Sequence, residues 1–494
     1  MERDPRDPAG LRDDAPLLAA WLDAVEAGEQ GRTAPFTIPG HKQRTDLIGT
    51  VVSGDVPLYG GLDTVGQAHG RLARAQALAA RAWGADWARL SVGGSTHGNQ
   101  TLALAVGAPG RPVVVARTLH RSLLLGLVLA DLRPVWVHPT VDPATGLPGA
   151  VPVEAVRAAL AAHPDACAVF LGDPSYVGTS GDVAGQAAAA HAAGVPLLVD
   201  AAWGAHFGFH PALPRHALAA GADALVTSAH KMLPAVSQAA LVLARTDPGT
   251  DGADGLLDRH RLDRAFEATH TTSPAGAILA SADAARALLE RDGTTLLGAL
   301  LAALDDVRAR LASVPGLVVP TGPQPGAVLE PARLVLLLAG TGADGRDVER
   351  DLIDAGLPVE LADRDTIVPV VTLADRPEHL DRLVTALARA VERHRGRPRP
   401  PAAAAAWSVR GEQAIPPRAA FFAAHRTEPL ARATGRISAE LVAPYPPGVP
   451  VLVPGELVTA EVVHLLRRAA ADGTRIAYAA DPTLATLQVV ADRP

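Results

Sequence analysis

At 494 residues the chain exceeds what a single core accommodates, and two or three domains are expected. Hydrophobic residues make up 48% and charged residues 20%, an ordinary globular balance in which 3% aromatics leave Ala, Leu and Val to build the core. The net charge of −7 is spread along the chain, which argues against a nucleic-acid partner.

The N-terminus, Met1 to Asp14, is charged and contains proline, unlike the basic start and apolar core of a signal peptide. Residues 16–28 have helical spacing and end at a glycine, and a Pro/Gly-containing arm, Thr33–Arg44, follows. Then short apolar runs at 88–92, 112–117, 133–138, 167–171, 195–199 and 224–227 alternate with helical stretches at 98–108, 121–132, 153–163 and 183–193. This rhythm predicts an α/β fold with a mostly parallel sheet covered on both faces. The apolar stretch near Leu123–Ala130 falls far short of the roughly 18 residues a membrane helix needs, so no membrane partner is expected.

From about residue 284 a longer helical stretch begins. Strands near 316–320, 333–339 and 366–373, with helices near 345–355 and 377–394, predict a small α/β domain. The Pro/Ala-rich segment Arg395–Trp407 reads as a linker, and residues 408–494 as a C-terminal α+β module. The expected division is an N-terminal helix and arm (1–50), a large domain (51–284), a small domain (285–394), the linker and the C-terminal domain. Cys167 is the only cysteine, which forbids an intrachain disulfide and makes a reducing, cytoplasmic setting the expectation.

Only two of the 45 basic residues are lysines, Lys42 and Lys231. Arginine replaces lysine at most surfaces but not where an amine must lose its proton and attack a carbonyl. Both lysines are therefore candidates for amine chemistry, with chance survival an equal alternative for Lys42.

Ligands of open parallel sheets bind beyond the carboxyl ends of the strands, and the chemically informative residues fall at such ends. Gly93-Gly94-Ser95-Thr96-His97-Gly98-Asn99 combines glycines, hydroxyls and a helix start, which suits a phosphate, although a capped turn looks the same. His120, after the 112–117 run, is placed to stack on a flat ring. Asp200 ends the run VPLLVD, where a carboxylate holds a protonated pyridine nitrogen or merely caps a helix. Ser228-Ala229-His230-Lys231 follows the next run, with Ser228 and His230 placed to touch a phosphate or orient the amine. Phosphate cup, ring stacker, pyridine partner and lysine together point to pyridoxal 5'-phosphate, held by Lys231 as a Schiff base. The pattern calls for no metal.

These residues resemble the fold-type I, pyridoxal-phosphate-dependent ornithine/lysine/arginine decarboxylases, over nearly the whole chain. Ile38-Pro39-Gly40-His41-Lys42 resembles the family's PGHK segment, and His120 with Ser122 its His-Lys-Ser element, with Arg121 in the middle. Asp173-Pro174-Ser175-Tyr176-Val177-Gly178 and Asp200 to Phe207 resemble its Pro-Thr-Tyr-Tyr-Gly turn and Asp-x-Ala segment. His270-Thr271-Thr272-Ser273-Pro274 resembles the segment that approaches the cofactor phosphate from a partner subunit. Gly435 to Glu440, Pro444 to Pro450 and Pro454-Gly455-Glu456 resemble the C-terminal domain. The likeness is to the shorter biosynthetic type, without the extra N-terminal domain of the large acid-inducible members. Ala201, Trp203, Ala275 and Gly276 depart from the common pattern, and these departures bear on substrate identity.

The resemblance implies decarboxylation of arginine, lysine or ornithine to the amine in polyamine biosynthesis, by at least a homodimer. It implies Lys231, His230 and Asp200 as catalytic residues. Gly94, Ser95, Thr96, His120, Ala202, Ser228 and Thr272 would join them in holding the cofactor. Asp63, Glu440 and Glu456 are candidates for reading the basic side chain, and equally for structural ion pairs or caps.

Three other functions fit parts of the pattern. An aminotransferase or aldolase-type lyase shares the lysine and aspartate, since fold does not fix reaction. A nicotinamide oxidoreductase is suggested by Gly340-Thr341-Gly342-Ala343-Asp344-Gly345, with Glu360 downstream; a turn in the small domain explains that motif better. A non-catalytic paralogue is disfavoured by the retained Lys231.

Overall fold

In the computed structural model, the described residues are 6–491 apart from 8, 57–61, 63–69, 247–254, 402–408, 446–448 and 472. Asp63, residues 402–407 of the proposed linker, Pro446 to Gly448 and part of the Met1–Asp14 segment therefore lie outside the described residues. By contacts the chain divides into two compact units, residues 1–105 with 198–298, and residues 106–197 with 299–494.

In the first unit, the helix Pro16–Glu29 starts with proline in its first turn, where the missing N–H costs nothing. Leu18 and Leu22 are buried in a cluster with Leu11, Ala15 and Ala287. The Leu17 N–H is anchored on Asp283, which pairs with Arg286 in the interior. The strands run in the order Trp87–Ser91, Ala240–Ala244, Ala224–Ser228 and Leu197–Asp200. Leu197–Asp200 and Ala224–Ser228 are parallel, with Asp200 opposite Val226. Ala240–Ala244 is antiparallel to both its neighbours. This strand lies beyond the last run expected from the sequence, because its Ala-rich run ALVLA reads equally as buried helix.

Helix Gly94–Val106 lies close against these strands. A Cβ on Gly98 would stand 2.5 Å from Val226 Cγ1 and 3.0 Å from Val242 Cγ2. Only glycine allows that approach, which brings the helix start level with the strand ends.

In the second unit, Val169–Gly172, Pro112–Ala116 and Arg133–Val137 form a parallel set in that order. Helices Arg121–Ala130, Val153–Ala162 and Val183–Ala192 follow as crossover elements. A separate antiparallel sheet orders Leu336–Leu337, Thr366–Val368 and Leu361–Ala362. The region expected as a strand near 316–320 makes only an isolated bridge, Val318 to Leu337. Helix Pro377–Arg393 buries Leu380, Leu383, Val384, Leu387 and Val391, an i, i+3, i+4 stripe that its sequence already displays.

The C-terminal residues form two hairpin-like pairs, His425–Pro429 with Thr486–Val490 and Ala443–Tyr445 with Arg475–Ala477. Helix Ala460–Ala471 adds Val462, Val463 and Leu466 to their shared core.

The Gly340–Gly345 motif does not open a βαβ unit. It leaves the two-residue strand of the antiparallel sheet, passes through a 3-10 turn, and meets a helix capped by Asp344. A Cβ on Gly340 would stand 2.5 Å from the Gly316 carbonyl oxygen, and one on Gly342 2.2 Å from Gly396. These glycines serve close backbone packing, so the turn interpretation holds.

Candidate active site

Most of the expected site residues lie in the first unit. Asp200 ends its strand, and Lys231 follows the neighbouring strand on the single-turn helix Ala229–Met232. The Ala201 N–H donates to the Val226 carbonyl at 2.8 Å, and Thr227 Oγ1 donates to the Ala201 carbonyl at 2.9 Å. These two bonds tie the Asp200 strand end to the strand that leads to Lys231.

The Asp200 carboxylate is oriented on both sides. Asn99 Nδ2 donates to Oδ2 at 2.7 Å, and the Ala202 N–H donates to Oδ1 at 3.1 Å. Ala202 thus acts through its backbone. Asn99 lies four residues after Ser95 on helix Gly94–Val106, so both occupy one helix face. Sequence reading placed Asn99 in the phosphate-loop motif but missed its hold on Asp200; the i, i+4 spacing was the available signal.

Ser95 and Ser228, both buried, share a hydrogen bond of 2.7 Å between hydroxyls. Gly94, at φ +67°, begins the helix in a left-handed conformation that glycine adopts without strain. Thr96, next in the first turn, is exposed.

Lys231 Nζ stands 4.2 Å from the centroid of the buried Trp203 ring. An indole face stabilises an ammonium. His230 Nδ1 lies 2.9 Å from the Ala239 carbonyl, so in the neutral ring Nδ1 carries the hydrogen and Nε2 is the basic nitrogen. Thr272 is exposed, between Thr271 and Ser273, whose hydroxyls are 3.4 Å apart.

His120 belongs to the second unit. It caps helix Arg121–Ala130, with Nδ1 2.8 Å from Ser122 Oγ and accepting the Ser122 N–H at 3.2 Å. Lys42 is exposed and donates to the Thr37 carbonyl.

The acidic residues considered for reading a basic side chain turn out differently. Glu440 accepts the N–H groups of Ala480 and Gln488, each at 2.6 Å. Glu456 is fully buried and pairs with Arg117 at 2.9 Å. Both carboxylates brace the protein's own chain, so the structural alternative applies to each.

The donor set fits a phosphorylated pyridine aldehyde. Paired serine hydroxyls and a glycine-started helix suit a phosphate, a braced carboxylate suits a protonated ring nitrogen, and the amine suits an aldehyde carbon. In a protein with so few lysines, this is a coherent set on one unit.

Residues 26–324 match the family model described as the Orn/Lys/Arg decarboxylase major domain, and residues 402–475 its C-terminal domain. The chain is 32% identical to an arginine decarboxylase of Halalkalibacterium halodurans, over 95% of this chain and 97% of that one. It is 31% identical to an arginine decarboxylase of Bacillus subtilis, over 93% and 95% of the two chains. The fold matches the lysine decarboxylase of Francisella novicida with a TM-score of 0.80 at 19% identity, covering 97% and 81%. It matches the constitutive lysine decarboxylase of E. coli at 0.79 and 21% identity, covering 97% and 82%. Braced aspartate, paired serines and lysine thus occur on a chain whose two matched segments and full-length relatives agree, and the chain belongs to the Orn/Lys/Arg decarboxylase family.

Proposed function

We propose that this protein is a pyridoxal-phosphate-dependent decarboxylase of a basic amino acid, and that the amino acid is arginine. The observation that carries the reading is the placement of Asp200 at the end of one strand and of Lys231 on the single turn just beyond its parallel neighbour, with Asp200 braced by Asn99. The choice of arginine is supported by full-length relatives named arginine decarboxylase.

When bound, the cofactor supplies a conjugated pyridinium that accepts the electron pair of the Cα–carboxylate bond. Asp200 holds the proton on the ring nitrogen, and Asn99 and the Ala202 N–H keep the carboxylate aimed. Gly94, Ser95, Thr96 and Ser228 would hold the phosphate, and His120 would hold the ring. Thr272 would extend to the phosphate of a second copy, and the working unit would then be at least a homodimer. Lys231 would anchor the cofactor, and its Nζ or His230 Nε2 would supply the proton for Cα.

The product amine suits polyamine biosynthesis in the cytoplasm. Among the described residues, no helix is long and apolar enough to cross a membrane. The functional division that follows is a cofactor domain at 51–284, a small domain at 285–394 and a C-terminal domain at 408–494.

The test is carbon dioxide release from arginine, lysine and ornithine, beside the visible spectrum before and after borohydride. Arginine turnover by a yellow protein, with borohydride attaching the cofactor at Lys231, is the expected result. A protein that stays colourless with added pyridoxal phosphate would overturn the cofactor assignment, and faster lysine or ornithine turnover the substrate assignment.

A further inference from the structure

The proposed phosphate cup begins at a glycine pair. Gly93 and Gly94 are adjacent, and glycine pairs sample many conformations unless something external holds them. Backbone donors bind an anion well only when they are already aligned.

His97, 4% exposed on the first turn of the helix, supplies that hold. Its Nε2 lies 2.9 Å from the Phe266 carbonyl, so Nε2 carries the hydrogen. Nδ1 is then an acceptor, and it receives the Ser91 hydroxyl at 2.8 Å. Ser91 Oγ in turn accepts the Gly93 N–H at 3.1 Å. Three directed bonds therefore run from the cup's backbone to helix Arg259–Thr269. Packing reinforces them, because a Cβ on Gly93 would stand 2.8 Å from the His97 Cβ.

The connection continues towards Thr272. The His97 ring meets Phe266 edge-on at 4.5 Å, and Phe266 stacks on His270 at 4.9 Å with 22° between planes. His270 Nδ1 donates to the Thr271 carbonyl at 2.8 Å. One ring stack thus joins the start of the cup to the segment bearing Thr272.

We propose that His97 is a positioning residue, which presets the Gly93–Ser95 turn for a phosphate and ties it to the Thr272 segment through Phe266 and His270. The inference rests on the cofactor reading above. A histidine that merely fills the core would support stability without favouring a phosphate.

The test is titration of the full-length chain, freed of cofactor, with pyridoxal phosphate and with unphosphorylated pyridoxal. The ratio of the two affinities reports the cup alone. In His97→Leu and in Ser91→Ala the ratio is expected to fall about tenfold, with pyridoxal affinity held within about threefold, as for the loss of one charge-assisted hydrogen bond. An unchanged ratio in folded variants, or a proportional loss of both affinities, would overturn the role of His97. If His97→Leu fails to fold, Ser91→Ala and His97→Gln decide by the same ratio. A wild-type chain that binds neither compound would overturn the cofactor reading itself.

Discussion

Asn99 Nδ2 lies 2.7 Å from Asp200 Oδ2, a buried amide holding the carboxylate that the proposed chemistry depends on. Such a bond to a charged acceptor is stronger than a neutral one and fixes direction as well as charge. Asn99→Ala is expected to lower kcat by roughly tenfold, the loss of about 1.4 kcal/mol. Asp200→Ala should cost more than about a hundredfold, since it removes the charge itself. Steady-state kinetics check the order, and equal losses would show that Asn99 does more than aim Asp200.

Lys231→Arg keeps a cation but cannot supply a neutral amine. Borohydride attachment of the cofactor and turnover are both expected to vanish in this variant. Retention of either would displace Lys231 from its role.

Arg117 and Glu456 form a buried ion pair, and Arg117 also donates to the Val451 carbonyl and lies 4.9 Å over the Trp136 ring. Burial pushes the Glu456 carboxyl up and the Arg117 guanidinium down, each opposed by its partner. Glu456→Leu alone strands a cation in the interior and is expected to cost roughly 3–5 kcal/mol. The double replacement Arg117→Met with Glu456→Leu should be far milder. Denaturant melts of the two variants measure the difference, and additivity would show that the charges do not interact.

Burial holds the His97 and His216 rings down to about 4, against an ordinary 6.5, and His216 is lowered further by Arg245 and Arg215. Both use Nδ1 as an acceptor, from Ser91 and from the Ala219 N–H, so protonation there breaks a bond. With folded values below the unfolded one, their stabilisation is complete above pH 6.5 and is lost as pH falls through 4. Asp173 acts in the opposite sense. Burial pushes its carboxyl up to about 6, so its contribution is full below 3.8 and is lost as pH rises through 6. The two rings are expected to dominate between pH 6.5 and 4, lowering the melting temperature, and His216→Gln should flatten that slope. An unchanged slope would remove His216 from the account.

Gly98→Ala places a methyl group 2.5 Å from Val226 Cγ1. The helix must then move off the strands, at a cost of roughly 1–3 kcal/mol. Affinity for pyridoxal phosphate should fall with stability, because the same helix carries Ser95 and Asn99. Calorimetry and cofactor titration together test this, and loss of stability alone would separate the helix from the site.

Much of the architecture was legible because its signals are local. Runs of apolar residues bounded by Ala-rich stretches located the parallel strands within a residue or two, and Pro377–Arg393 showed its stripe. The strand Ala240–Ala244 is the exception, since its run ALVLA, preceded by Ala239, reads equally as an Ala-rich helix. The stretch near 316–320 has the apolar run of a strand, but Gly316 packs against the Gly340 carbonyl and only Val318 finds a pairing partner.

By itself, the sequence determined the residue types on which the proposed chemistry rests. A lysine retained where arginine was the rule, and an aspartate and a serine-glycine turn at strand ends, are legible because those functions admit few substitutes. Only the tertiary structure decided what each residue touches. It gave Asn99 to Asp200, Trp203 to Lys231 and Ser91 to His97, and it turned Glu440 and Glu456 inward. A hydrogen bond depends on distances of a few tenths of an ångström between residues far apart in the chain, and no local pattern encodes such a distance.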